Sequence, residues 1–152
     1  MSVSASIDIR FLQKHLPPME MKHIIKTLVD YGWNIFRDGC ICYSTLDIED
    51  NFNSWLEPIN LDTLSNILEQ KKLISNLISI QITWENTEIG GSLTFYPKYT
   101  DISCSLHPDA TRQRIPPEDP YGMTDFQWYL PKLLPPLHRE FGIEYFSCSH
   151  LR

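Results

Sequence analysis

Between Leu77 and Trp84 every second residue is large and apolar: Ile78, Ile80, Ile82 and Trp84 alternate with Ser79, Gln81 and Thr83. A period of two is the signature of a β-strand with one buried and one wet face. It commits the chain to a sheet that something else must cover on one side. Ser4–Leu12 repeats the pattern, with Ile7, Ile9 and Phe11 set against Asp8 and Arg10. Asp38-Gly39, between Trp33–Arg37 and Gly39–Leu46, is a strong hairpin signal. Gly90-Gly91 reads as a turn into Ser92–Tyr96, and Pro97–Tyr99 as a second turn into Thr100–His107. With Leu77–Trp84 these segments predict an antiparallel meander. Ile143–His150 supplies a last strand near the C-terminus.

Three stretches carry the period of a helix instead. In Met19–Tyr31, after Pro17 and Pro18, the residues Met21, Ile24, Ile25, Leu28 and Val29 recur at three- and four-residue spacing. Gly32 stops that helix. Asn60 is placed to cap a helix over Leu61–Lys72 whose apolar side is Leu61, Leu64, Ile67 and Leu68. Met123–Phe141 reads as helical up to Gly142, with breaks or kinks expected at Pro131, Pro135 and Pro136. Strands outnumber helices and come mostly as hairpins. The expected fold is therefore α+β, a largely antiparallel sheet with about three helices packed mainly on one face. A length of 152 residues fits a single domain over residues 1–152.

Several function classes find no support. The N-terminus lacks the basic start, apolar run and cleavage site of a signal peptide, and no apolar run is long enough to span a bilayer, so a cytoplasmic chain is expected. Cys40, Cys42, Cys104 and Cys148 then read as free thiols packed in the core rather than as disulfides. No C-x-x-C knuckle or H-x-x-x-H pair argues for a metal, and no Gly-rich phosphate loop argues for a nucleotide. No cofactor is therefore expected. No activated Ser or Cys signature is present, so no residue is assigned a catalytic role. The nearest thing to an enzyme site is the long loop after the meander, where His107, Asp109, Arg112 and Arg114 offer a base, an orienting carboxylate and an anion clamp. The simpler reading has Arg112 and Arg114 paired with Glu118 and Asp119 on a solvated loop. A formal net charge of −6 has the wrong sign for direct nucleic-acid binding.

That charge is unevenly spread. Asp38, Asp47, Glu49, Asp50, Glu57, Asp62 and Glu69 fall between residues 38 and 70, a stretch without Lys or Arg, and the remainder of the chain is nearly balanced. Phe52 and Trp55 lie inside the stretch, and such rings anchor protein interfaces. Two readings stand side by side: a solvated acidic face that maintains solubility, or an acidic, aromatic surface that steers a basic protein. Asp47, Glu49, Asp50, Phe52, Trp55, Glu57 and Asp62 form the candidate partner-binding set. In size, α+β plan and the segment Asp47-Ile48-Glu49-Asp50-Asn51-Phe52-Asn53-Ser54-Trp55, the chain resembles bacterial immunity proteins of the contact-dependent growth inhibition type. The resemblance implies a stoichiometric inhibitor that covers a basic toxin domain, often a nuclease. The alternative is a small enzyme acting on an anionic substrate through the His107–Arg114 loop.

Overall fold

A computed structural model describes residues 3–12, 21–98 and 104–151. The elements in chain order are β1 (Ser4–Phe11), α1 (Met21–Tyr31), β2 (Trp33–Asn34), β3 (Phe36–Arg37), β4 (Cys40–Asp47), β5 (Phe52–Glu57), α2 (Leu61–Lys71), β6 (Ser75–Trp84) and β7 (Gly90–Phe95). They continue with β8 (Cys104–Pro108), β9 (Arg114–Ile115), β10 (Met123–Thr124), α3 (Phe126–Phe141) and β11 (Ile143–Leu151). The fold is α+β. Among the described residues nine strands form one antiparallel sheet in the order β11-β1-β8-β7-β6-β4-β3, with β5 added to β4 and β2 to β6, while β9 and β10 form a separate short ribbon. Among the described residues β11 and β5 are the long strands that pair on one side only, and they form the edges of this sheet.

The alternation read in the sequence sets the two faces. Ile7, Ile9, Ile41, Tyr43, Ile78, Ile80, Ile82, Leu93, Phe95, Cys104 and Leu106 are all buried and share one face. The helices cover that face with Ile24, Ile25, Leu28, Leu64, Leu68, Tyr129, Leu133 and Leu137, and these side chains join the same core. The opposite face is paved with hydroxyls. Ser54, Ser44, Ser79, Thr94, Ser105, Asp8 and Ser147 follow one another across seven strands. Ser44 bonds Ser54 at 3.1 Å, Ser79 and Thr94 share a bond of 3.1 Å, and Ser105 donates to the Asp8 carboxylate at 2.6 Å. Tyr96 and His107 meet at 3.2 Å and span the buried Thr94–Ser105 pair.

Helix ends follow the sequence signals. Gly32 closes α1 at φ +136°, a value in the region glycine enters without a Cβ penalty. The Asn60 side chain accepts the Thr63 amide at 2.8 Å and so takes up one unpaired donor of α2. Asp38 and Gly39 both have positive φ, as a tight two-residue hairpin turn requires.

Four expectations change. Gly90 and Gly91 are not the turn; they sit inside β7, and the reversal occurs over residues 85–89. A Cβ on Gly90 would collide with the Ile82 carbonyl, and one on Gly91 with the His107 carbonyl, so the glycines permit close strand approach rather than a bend. Residues 123–141 do not run as one helix: Met123–Thr124 form β10 and α3 begins at Phe126. Nor do the prolines break α3, which runs unbroken for 16 residues. Pro136 has no N–H to offer the Lys132 carbonyl four residues back; the buried Trp33 indole N–H donates to that carbonyl instead, at 2.9 Å. Finally, only Cys104 is a core thiol. Cys40 and Cys42 are half-buried on the polar face, and Cys148 is exposed in β11. The predicted starts at Met19 and Thr100 lie outside the described residues.

Candidate functional site

The acidic stretch folds mainly as a hairpin that the sequence reading passed over. Phe52–Glu57 is a strand, β5, paired residue for residue with β4 from Leu46↔Phe52 to Ile41↔Glu57. Its sequence, FNSWLE, lacks a clean alternation because an edge strand has little to bury on either side. The turn before it is built by Asp47, whose carboxylate accepts the amides of Glu49 and Asn51 at 2.9 Å each. Those backbone bonds hold its pKa below the usual carboxylate range. Asp50 completes the turn at φ +63°.

The strand parity divides the candidate residues. Asn53, Trp55 and Glu57 lie on the helix side, opposite Thr45, Tyr43 and Ile41. Trp55 stacks on Tyr43 with ring centroids 5.1 Å apart, the Lys71 ammonium sits 4.0 Å from its ring centre, and the side chain is half-buried. Glu57 accepts the Tyr43 hydroxyl at 3.1 Å; burial and this carboxylate push the phenol up to about 12. Trp55 and Glu57 are therefore packing residues, and Trp55 is not the centre of an exposed surface. Phe52 points the other way and is 67% exposed.

The carboxylates do not form one field either. Asp62 pairs with Lys22 of α1 at 3.0 Å and Glu69 with Lys72 at 2.6 Å. Asp38 sits at the far end of β4, about 25 Å away at ~3.4 Å per residue. Glu49 and Asp50 remain exposed at the β4–β5 tip, with no ion pair among the described residues.

The fold adds what the sequence did not show. The Ile48 amide donates to the Ile74 carbonyl at 3.0 Å, which ties the β4–β5 tip to the α2–β6 connection. Leu46 lies between Phe52 and Leu77 in the ladder. One end of the sheet thus collects Ile48, Phe52, Leu73 and Ile74, exposed by 57, 67, 70 and 55%, with Leu56 at 60% further along the face of Phe52. Leu73 and Ile74 lay outside the acidic stretch, and only their adjacency to a hairpin tip 26 residues earlier gives them a role.

Comparison with protein-family models, curated proteins and solved structures gives no match.

The loop named for the enzyme reading is dispersed. Arg112 is buried, and its guanidinium donates to Thr124 Oγ1 and to the carbonyls of Pro120 and Gly122. Arg114 donates to the carbonyls of Ala110 and Pro117, so neither arginine pairs with Glu118 or Asp119 as expected. His107 faces Tyr96 on the polar face, and burial holds its pKa below the usual value. Asp109 accepts from Gln81 at 2.6 Å. A cleft between α1 and α3, lined by His23, Lys26, Asp30, Arg139 and Glu140, contains none of these four residues. Among the described residues no cluster of His, Cys, Asp and Glu has the makings of a metal site, and no helix is long and apolar enough to cross a membrane.

Proposed function

We propose that this chain is a protein-binding module whose contact surface is the β4–β5 tip together with the α2–β6 connection. Its most concrete form is an immunity protein that neutralises a basic toxin domain. The reading rests on one observation: large apolar side chains stand exposed on two separate segments that a backbone hydrogen bond ties together. Contiguous exposed apolar surface on a folded chain marks interaction sites, and Phe52 with Ile48 supplies the anchors. Glu49 and Asp50 rim those anchors with negative charge, which favours a cationic partner and accelerates its encounter. Relative to the sequence reading, the surface loses Trp55, Glu57 and Asp62, keeps Glu49, Asp50 and Phe52, and gains Ile48, Leu73 and Ile74. Asp47 supports the turn.

The test searches the genes neighbouring that of this chain for a basic toxin domain and titrates the activity of the purified domain against the full-length protein; neighbours without one refute the toxin-neutralising form. Stoichiometric inhibition is expected. Phe52→Asp should abolish it, because the anchor is desolvated on binding. Glu49→Lys combined with Asp50→Asn should slow association by about tenfold at low salt while leaving dissociation nearly unchanged. Asparagine is chosen at position 50 because it tolerates the left-handed backbone there. Failure to inhibit, or inhibition indifferent to Phe52→Asp, refutes the proposal.

A further inference from the structure

Among the described residues β5, the strand that follows the acidic tip, pairs with β4 alone. Its six residues, FNSWLE, span about 20 Å at ~3.4 Å per residue. The outer side of an edge strand offers amides and carbonyls to another chain, and proteins commonly guard it with lysine, proline or a bulge. β5 contains neither Lys nor Pro, and its register with β4 runs without a shift.

Backbone parity shows which groups face outward. The Asp47 amide donates to the Asn51 carbonyl at 3.0 Å, so this pair closes the ladder at the tip. In an antiparallel ladder, hydrogen-bonded pairs alternate with pairs whose groups turn away. The bonded pairs along the register are then Thr45–Asn53, Tyr43–Trp55 and Ile41–Glu57. The far side of β4 agrees. The Trp84 amide bonds the Ile89 carbonyl at 2.9 Å, so even residues of β6 turn to β7 and odd ones turn to β4, where they meet Ser44 and Leu46. Phe52, Ser54 and Leu56 therefore direct their N–H and C=O groups away from β4. Their side chains share the face opposite the helices, with Phe52 and Leu56 exposed by 67 and 60%. Between them lies the small Ser54, its hydroxyl held by Ser44 at 3.1 Å. A residue of an incoming strand that pairs with Ser54 has Phe52 and Leu56 on its diagonals, about 7–8 Å away and within reach of a large side chain.

We infer that β5 receives an extended basic segment of the partner protein as an added antiparallel strand, with apolar residues opposite Phe52, Ser54 and Leu56 and cations at its ends. This deepens the protein-binding reading and rests on it for the placement of the surface. Charge sets the occupant. Residues 38–70 hold no Lys or Arg. Glu57 stands at one end of β5, and beyond the other end Glu49 and Asp50 have no ion pair among the described residues. Lys71 sits over the Trp55 ring at 4.0 Å on the helix side, so the incoming strand needs a neutral residue there. A second copy of β5 would bring no cation to either end. Three hydrogen-bonded pairs give about six main-chain bonds. Those bonds supply affinity whatever the partner's sequence, while the notch at Ser54 and the charged ends supply selectivity.

The probe is the peptide acetyl-Lys-Val-Thr-Val-Thr-Val-Lys-amide, whose valines align with Leu56, Ser54 and Phe52 and whose lysines reach Glu57 and the tip. Amide exchange of the full chain is followed residue by residue by NMR. Saturating peptide should slow the amides of Phe52, Ser54 and Leu56 about tenfold or more and leave those of Asn53 and Trp55, already bonded to β4, unchanged. The same peptide N-methylated at its valines keeps its charge and should have no effect. Equal effects of the two peptides, or no slowing at the three amides, overturn strand addition. A peptide with Glu in place of Lys that binds equally well refutes the charge argument. Protection of the same amides that rises with protein concentration, without peptide, makes a second copy the occupant and sinks the choice made here. Ser54→Pro removes one outward N–H without removing a bond to β4 and should abolish binding; Ser54→Ala, which also lacks the bond to Ser44, should retain it. The two readings fail separately. A toxin domain whose inhibition is lost in Phe52→Asp but kept in Ser54→Pro preserves the tip surface and rejects strand addition. Protection by the peptide in a chain that inhibits no neighbouring toxin domain rejects the toxin-neutralising form and leaves strand addition standing.

Discussion

Trp33→Phe tests how α3 accommodates Pro136. The indole is 2% exposed and its N–H is the donor to the Lys132 carbonyl, which Pro136 leaves without a helical partner. Phenylalanine retains an aromatic ring and removes that donor. A buried carbonyl left unpaired costs about 1–3 kcal/mol. The smaller ring buries some 40 Å² less apolar surface, about 1 kcal/mol at ~25 cal/mol per Å². The expected loss is thus about 2–4 kcal/mol, measured by urea unfolding with the slope unchanged. Pro136→Ala restores an N–H four residues after Lys132, so in that background Trp33→Phe should retain mainly its packing cost. The double-mutant cycle should then show a coupling of about 1–2 kcal/mol, well above the ~0.5 kcal/mol that separates independent sites. Additive losses would show that the indole bond is not what compensates Pro136.

Two further expectations concern the sheet. Gly91→Ala should cost about 3 kcal/mol, an upper-range overpacking penalty, because its Cβ would meet the His107 backbone carbonyl of β8, which a side-chain rotation cannot relieve; a loss below about 1 kcal/mol in chemical denaturation contradicts the close-approach argument. His107 has a folded pKa lowered by burial, so the neutral form is favoured in the native state. Its contribution is present in full above the unfolded value of about 6.5 and is lost as pH falls through the lowered folded value. His107→Gln removes the titration and should flatten the acid limb of the stability–pH curve, and an unchanged limb would assign it to other groups.

Period-two and period-3.6 spacing were legible along the chain because each depends on neighbours two to four residues apart. They determined β1, β6 and the helices α1 and α2, together with the covered and uncovered faces of the sheet and the α+β class. Asn60 and the Asp38-Gly39 pair were readable for the same reason, since a cap or a tight turn is closed by bonds within three residues. Tertiary structure alone decided the rest. β5 exists because β4 offers it a partner, and its mixed sequence has no periodicity of its own. Pro136 is tolerated inside α3 because an indole from 99 residues away supplies the bond that its missing N–H cannot. The acidic stretch is partly neutralised from outside its own segment because Lys22 of α1 reaches Asp62 of α2. Coulomb pairs, cross-strand parity and the adjacency of Ile48 to Ile74 depend on distances through space, which no local pattern in a sequence encodes.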